Sequence, residues 1–376
     1  MFDIPKTMRA VVYRGVKDLR LETIPVPGIR SNELLVKVAV CGVCPTDIKK
    51  IHYGTVPPPR VFGHETSGTI VKTGAQVRGW RVGDRVALHH HVPCMECHAC
   101  AHHAFAQCKV YKQTGITAGF EPAGGGYAEY VRVMPFVLPG IVKIPAKNSF
   151  IEGAMLEPVN TVLKAVYRLG LLRGDTVLVA GQGPIGLIFT RLLALRGMHV
   201  IATDLLPTRL QLAVEFGAKH VFKVSPGATG SAKPASLGEL VDCVTRGRGL
   251  DAAVIAVPSL DVIHEAQALV RGAGRILLFS HTRRGEQANI DLATICVDEK
   301  DLIGSYSADF TLQDEVGKLI FSRKLDVRRL ITHEFSLEAT PAAVELAAHP
   351  TAQSLKVVVN QHRAEIPIRA KFQVKR

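Results

Sequence analysis

At 376 residues, 47% of them hydrophobic, the chain is long enough for two domains with separate cores. No run of about 18 apolar residues argues for a membrane-spanning helix, and the first ten residues lack the basic-then-apolar order of a secretory signal, so a cytoplasmic protein without a membrane partner is expected. The formal charge is +13, but the basic residues are dispersed except in the tail (Arg369, Lys371, Lys375, Arg376), which lacks interleaved aromatics, so no nucleic-acid partner is expected.

The first third reads as β-rich. Residues 10–13, 34–40 and 69–72 are strand-like and punctuated by Gly and Pro, and Gly83-Asp84-Arg85-Val86 adds a turn leading into a strand. After about residue 160 strands alternate with helices. Residues 176–180 form a continuous apolar run, as a parallel strand covered on both faces requires. A helix over 184–196 follows, stopped by Gly197, then a strand over 199–203 and a helix over 208–216 closed by Gly217. Residues 251–257 and 275–279 continue the series. The alternation predicts an α/β chain with a doubly wound parallel sheet. Residues 225–236, rich in Gly, Ala, Pro and Ser, read as a loop within this domain. Beyond about 305 a helix (312–322) and a strand (355–359) are too few to stand alone, so the C-terminal piece is expected to rejoin the first domain. The expected division is 1–158 with 305–376 for the β-rich domain, and 159–304 for the doubly wound one.

Gly181-Gln182-Gly183-Pro184-Ile185-Gly186 matches G-x-G-x-x-G, placed after a strand and opening a helix. Gly181 serves a tight turn, Gly183 lets the backbone approach a pyrophosphate, and Gly186 lets helix and strand pack closely. The helix N-terminus offers N–H groups to the phosphates. Asp204 ends the next strand, where a carboxylate accepts from ribose hydroxyls and repels a 2′-phosphate, so NAD is expected over NADP; Arg209, one turn on, works against that preference.

Of eight cysteines, four are clustered: Cys94, Cys97, Cys100 and Cys108 lie within fifteen residues. Four thiolates match a closed, tetrahedral structural zinc. His98, His102 and His103 lie among them but are not needed once four sulfurs complete the shell, and His89, His90 and His91 read as a strand end. A nucleic-acid-binding zinc ribbon is the alternative for this lobe, and its surroundings lack the basic and aromatic residues that role needs. Cys243 and Cys296 stand alone and read as buried small apolar residues.

A second metal centre is suggested by Cys44, His64, Glu65 and Glu157. One sulfur, one imidazole and one or two carboxylates suit a zinc that keeps a position free for water or substrate. Two zinc ions per chain are therefore expected, one catalytic and one structural.

The order of Cys44-Pro45-Thr46-Asp47, Gly63-His64-Glu65, the four-cysteine lobe, Leu156-Glu157-Pro158 and the glycine motif resembles the zinc-containing medium-chain dehydrogenase/reductase family over nearly the whole chain. The Leu-Glu-Pro version is similar to the polyol and threonine dehydrogenase branch. The resemblance implies a GroES-like catalytic domain, a Rossmann domain binding NAD, a small-molecule alcohol substrate, and a homodimer or homotetramer. Carried over by position, it implies Cys44 and His64 as zinc ligands, and Glu65 and Glu157 as ligands directly or through water. It implies Thr46 as the hydroxyl that takes the alcohol proton and Asp47 as a carboxylate orienting a ligand.

Three positions depart from the family pattern. Pro45 stands where many members have Gly or Arg. Lys49 stands where many have the His that passes the proton to solvent, leaving Lys49, His52 or water for that step. Ser305-Tyr306 stands where sorbitol dehydrogenases tend to have Arg-Tyr. The expected activity is hydride transfer between a secondary alcohol or polyol and NAD. The alternatives are a threonine or amino-alcohol dehydrogenase, and a catalytically silent nucleotide- or nucleic-acid-binding protein on the same scaffold.

Overall fold

A computed structural model describes residues 2–89, 92–113, 124–224, 236–280 and 285–361. The chain divides into two compact units, Met1–Asn160 with Ala308–Arg376, and Thr161–Ser307.

In the first unit the described residues build a three-stranded and a seven-stranded sheet. The strand Leu34–Gly42 is the spine of the larger one, and eight of its nine residues are buried. It pairs antiparallel with Glu65–Thr73 on one side, with Gly42 opposite Glu65. On the other side it pairs with Lys356–Asn360, with Val358 opposite Gly42. The C-terminal segment thus supplies a strand to the sheet begun by the N-terminal one. Glu65–Thr73 starts earlier than the 69–72 run because its first residues, Glu65 to Gly68, are all buried, and buried polar residues carry no strand signal in sequence.

In the second unit the described residues form six parallel strands in the order His220–Lys223, His199–Asp204, Thr176–Ala180, Leu250–Ile255, Val270–Leu278, Asp301–Gly304. This is the Rossmann order, two halves wound outward from the first strand. Thr176–Ala180 and Leu250–Ile255 are buried at every position, as their apolar sequences demand. The helix Pro184–Leu195 begins with Pro at a first-turn position, and Gly197 after it takes φ +88, which a side chain would resist.

Two expectations fail. Cys243 and Cys296 are exposed. Cys243 lies on Leu237–Thr245, whose buried stripe is Leu237, Val241 and Thr245, four residues apart, so position 243 points away from it. The short helix Leu292–Cys296 buries none of its residues. The loop at 225–236 lies outside the described residues apart from Ser236, which caps the helix Leu237–Thr245. The basic tail, His90 and His91 also lie outside them. No helix among the described residues is long and apolar enough to cross a membrane.

Candidate active site and metal centres

The four cysteines converge. Cys97 Sγ lies 3.5 Å and Cys94 Sγ 3.9 Å from Cys100 Sγ, and Cys108 Sγ lies 3.7 Å from Cys94 Sγ. Sulfurs about 2.3 Å from a tetrahedral centre are about 3.8 Å apart, so the arrangement fits zinc. Among the described residues this metal-capable group holds four cysteines and no histidine; the rings of His98 and His102 instead face each other at 4.4 Å, on exposed residues. Crowding drives the thiols apart in acidity. Burial, with neighbouring thiols, pushes Cys100 up to about 12. Burial also opposes ionisation of Cys108, but the Cys94 and Tyr111 backbones and the adjacent thiols outweigh it and bring Cys108 down to about 6. The lobe has a small core of Cys100, Phe105, Ala106, Cys108 and Tyr111, with Phe310 packed against it. Tyr111 also donates to the Ala308 carbonyl at 3.5 Å. The lobe therefore fastens the segment by which the chain returns to the first unit.

The second centre is assembled from separate segments. Ligand atoms of Cys44, His64 and Glu65 lie within 4.8 Å of one another. Cys44 is the N-cap of the helix Pro45–Tyr53, and Pro45 occupies its first turn. Pro45 is suited there, because its missing N–H has no helical partner to lose. His64 and Glu65 lie where the chain enters the strand Glu65–Thr73. Asp47, wholly buried, accepts from the Gly63 N–H at 3.3 Å and faces His64 Nδ1 at 3.1 Å. That contact sets Nδ1 against the carboxylate, as in the carboxylate–histidine–metal arrangement, where the other ring nitrogen binds the ion. Burial opposes the charge on Asp47, but His64 and the Gly63 N–H outweigh it and hold the carboxyl below its usual range. The nearby Cys41 differs: burial pushes it up to about 12, so it stays a neutral thiol. One sulfur, one imidazole and one carboxylate with a position left open fit zinc.

Sequence reasoning missed Lys356. This residue opens the strand Lys356–Asn360, is 6% exposed, forms an ion pair with Glu65 Oε2, and donates to the Val43 carbonyl at 2.9 Å. Burial opposes its charge, but Glu65, Cys44 and Glu157 outweigh it and raise its pKa. The only signal in sequence is a lysine heading an apolar strand, 291 residues from Glu65, the ligand it touches. Glu157 is buried in the first turn of Leu156–Arg168, outside the group of Cys44, His64 and Glu65.

Of the relay residues, Thr46 and Lys49 are half-buried on Pro45–Tyr53, as is His52. At about 100° per residue, Lys49 falls on the Thr46 face, whereas His52 lies about 120° around the axis.

In the glycine motif, Gly181 takes φ +92 and donates to the Thr203 carbonyl at 2.8 Å. A Cβ on Gly186 would overlap the Gly181 carbonyl oxygen, while one on Gly183 would meet nothing within 4 Å. Gly183 thus leaves open space at the N-cap of Pro184–Leu195, where an anion meets free N–H groups; Ile185 is in the first turn. This cradle fits a nicotinamide dinucleotide's pyrophosphate. Asp204 Oδ2 accepts from Gln182 N at 2.7 Å and Oδ1 from Leu206 N at 2.9 Å, and Arg209 lies 3.9 Å away. The carboxylate therefore clasps the glycine loop while ending its strand.

Comparison with known proteins agrees with both units. Residues 30–146 match the alcohol dehydrogenase GroES-like domain, and residues 184–321 match the zinc-binding dehydrogenase domain. Sorbitol dehydrogenase of Bacillus subtilis is 29% identical over 370 residues, 96% of this chain and 99% of that protein. Sorbitol dehydrogenase of Bos taurus is 30% identical over 357 residues, 91% and 93% of the two chains. A zinc-binding dehydrogenase of Sinorhizobium meliloti, solved bound to NADP, superposes with a TM-score of 0.82 at 26% identity, covering 95% of this chain and all of that one.

Proposed function

The chain belongs to the zinc-containing medium-chain alcohol dehydrogenase family, in its polyol dehydrogenase branch, and from that premise we propose that it oxidises a secondary alcohol or polyol with NAD at the Cys44–His64–Glu65 centre. The observation that carries the site is the convergence of those three ligand atoms, backed by the Asp47–His64 contact. Bound zinc supplies Lewis acidity toward a hydroxyl, and the nicotinamide supplies the hydride acceptor.

The chain's own groups do the rest. Cys44, His64 and Glu65 hold the metal, and Asp47 fixes the His64 tautomer. Thr46 accepts the alcohol proton at Oγ1 as it passes its own on toward water, beside Lys49 on the same helix face. Glu157 adds a second buried carboxylate close enough to raise the Lys356 pKa. The four cysteines hold the structural zinc.

For the cofactor, the glycine loop binds the pyrophosphate, Asp204 receives the adenosine ribose, and its charge disfavours a 2′-phosphate. The ratio of kcat/KM for NAD and NADP tests this, and a preference for NADP would overturn it. Gly183→Ala should fold normally and bind NAD more weakly; Gly186→Ala should lose stability instead, and equal behaviour of the two would contradict the cradle.

Clustered thiols are best kept reduced in the cytoplasm, which supports that location. A homodimer or homotetramer is supported by the edge strand Asp301–Gly304, where Leu302 is 39% exposed, and by the nearly bare Leu292 and Val297. Sedimentation checks it: a monomer at micromolar concentration would overturn the assembly.

A further inference from the structure

Glu65 occupies a purpose-shaped seat. Gly42 lies opposite it across the sheet, and a Cβ at Gly42 would overlap Glu65 Oε2 and stand 3.0 Å from Glu65 Cδ. The bare α-carbon is therefore filled by the carboxylate. At the far side of that seat is the Lys356 ammonium, which holds Glu65 and the Val43 carbonyl, the residue immediately before Cys44. The Val43 N–H in turn donates to the Val357 carbonyl at 3.0 Å. One buried cation thus touches one metal donor and the backbone leading to another.

A buried lysine is costly unless paired, so the pairing has to be favourable. Here the partner is also a metal donor, and a carboxylate shared between an ammonium and a cation is bound less firmly by either. We propose that Lys356 is a positioning residue that competes with the metal for Glu65, seated on Gly42, and so keeps Glu65 an exchangeable ligand that yields its place to substrate. This rests on the assignment of Cys44, His64 and Glu65 as the catalytic centre.

The competition makes a prediction opposite in sign to that of a scaffolding role. Removing a mere scaffold loosens the metal. Removing a competing cation frees Glu65, lifts a repulsion, and tightens the metal by about tenfold or more. The experiment measures zinc affinity by chelator competition, and visible spectra of the cobalt-substituted protein, for wild type, Lys356→Gln, Lys356→Met and Lys356→Arg. Gln keeps a donor for Val43 without the charge, and Met stands in if Gln fails to fold. The cobalt spectrum of Cys44→Ser is subtracted to remove the four-cysteine site. The expected result is tighter zinc, an altered cobalt spectrum and a fall in kcat for Gln or Met, with Arg close to wild type. Unchanged or weaker zinc binding, or an unchanged spectrum, overturns the proposal while leaving the catalytic centre standing. A wild-type spectrum that subtraction of Cys44→Ser reduces to nothing overturns both.

Discussion

The two metal centres solve the same coordination problem in different ways. The four-cysteine site takes all its donors from fifteen consecutive residues, all sulfur. Its four sulfurs suffice for a tetrahedral shell, and its small core packs against Phe310 while Tyr111 donates to the Ala308 carbonyl. The Cys44 centre gathers three different donors from a helix cap and a strand entrance, with Asp47 set against His64 and Lys356 paired with Glu65. A closed shell serves stability, since nothing can enter it. A three-donor shell with buried supports leaves a position free, which chemistry requires.

The largest effect separating the two should come from Cys44→Ser. We expect activity to fall by about a thousandfold or more, since a Lewis acid stabilises the developing alkoxide by several kcal/mol, with one zinc lost and thermal stability little changed. Metal counting beside steady-state kinetics checks this; full activity would break the distinction. Asp47→Asn should be next. Loss of the carboxylate behind His64 is expected to weaken zinc at that centre by roughly 10–100-fold and leave the four-cysteine site filled, read by chelator titration. Cys97→Ser should act in the opposite way, dropping one zinc and lowering Tm by roughly 5–10 °C with little change in KM. A variant as stable as wild type would remove the structural role.

The smallest effect is a control that should not distinguish the centres. Glu33 is buried against Arg132; burial opposes its charge, but Arg132 and the Arg30 N–H outweigh it and hold the carboxyl below its ordinary value. Its folded pKa lies below the unfolded one, so its stabilisation is present above the unfolded value of about 4.3 and is lost as pH falls through the folded one. Glu33→Gln should lower Tm near neutral pH and flatten the acid limb, equally with and without the Cys44 zinc.

How far the sequence reveals these sites follows from the length of chain each one spans. The four cysteines and the glycine motif are local, and spacing alone shows them. The doubly wound sheet is legible because its central strands, such as Thr176–Ala180, are buried on both faces and so read as unbroken apolar runs. Cys44, His64 and Glu65 are individually ordinary, and only their order in a resemblance joins them. Gly42 carries no signal and Lys356 only that of a lysine heading an apolar strand, because a strand pairing between residues 316 apart, Val358 and Gly42, brings the lysine's strand beside the glycine. Residue type alone does not reveal the exposure of Cys243, because the phase of its helix decides it.

The most direct test follows NAD reduction against a panel of polyols and secondary alcohols while zinc is counted during chelator treatment. Catalysis at the Cys44 centre predicts that turnover disappears with the more weakly held zinc, as the four-cysteine zinc remains. Turnover that survives removal of that first zinc, or none across the panel in protein holding both ions and binding NAD, would contradict it.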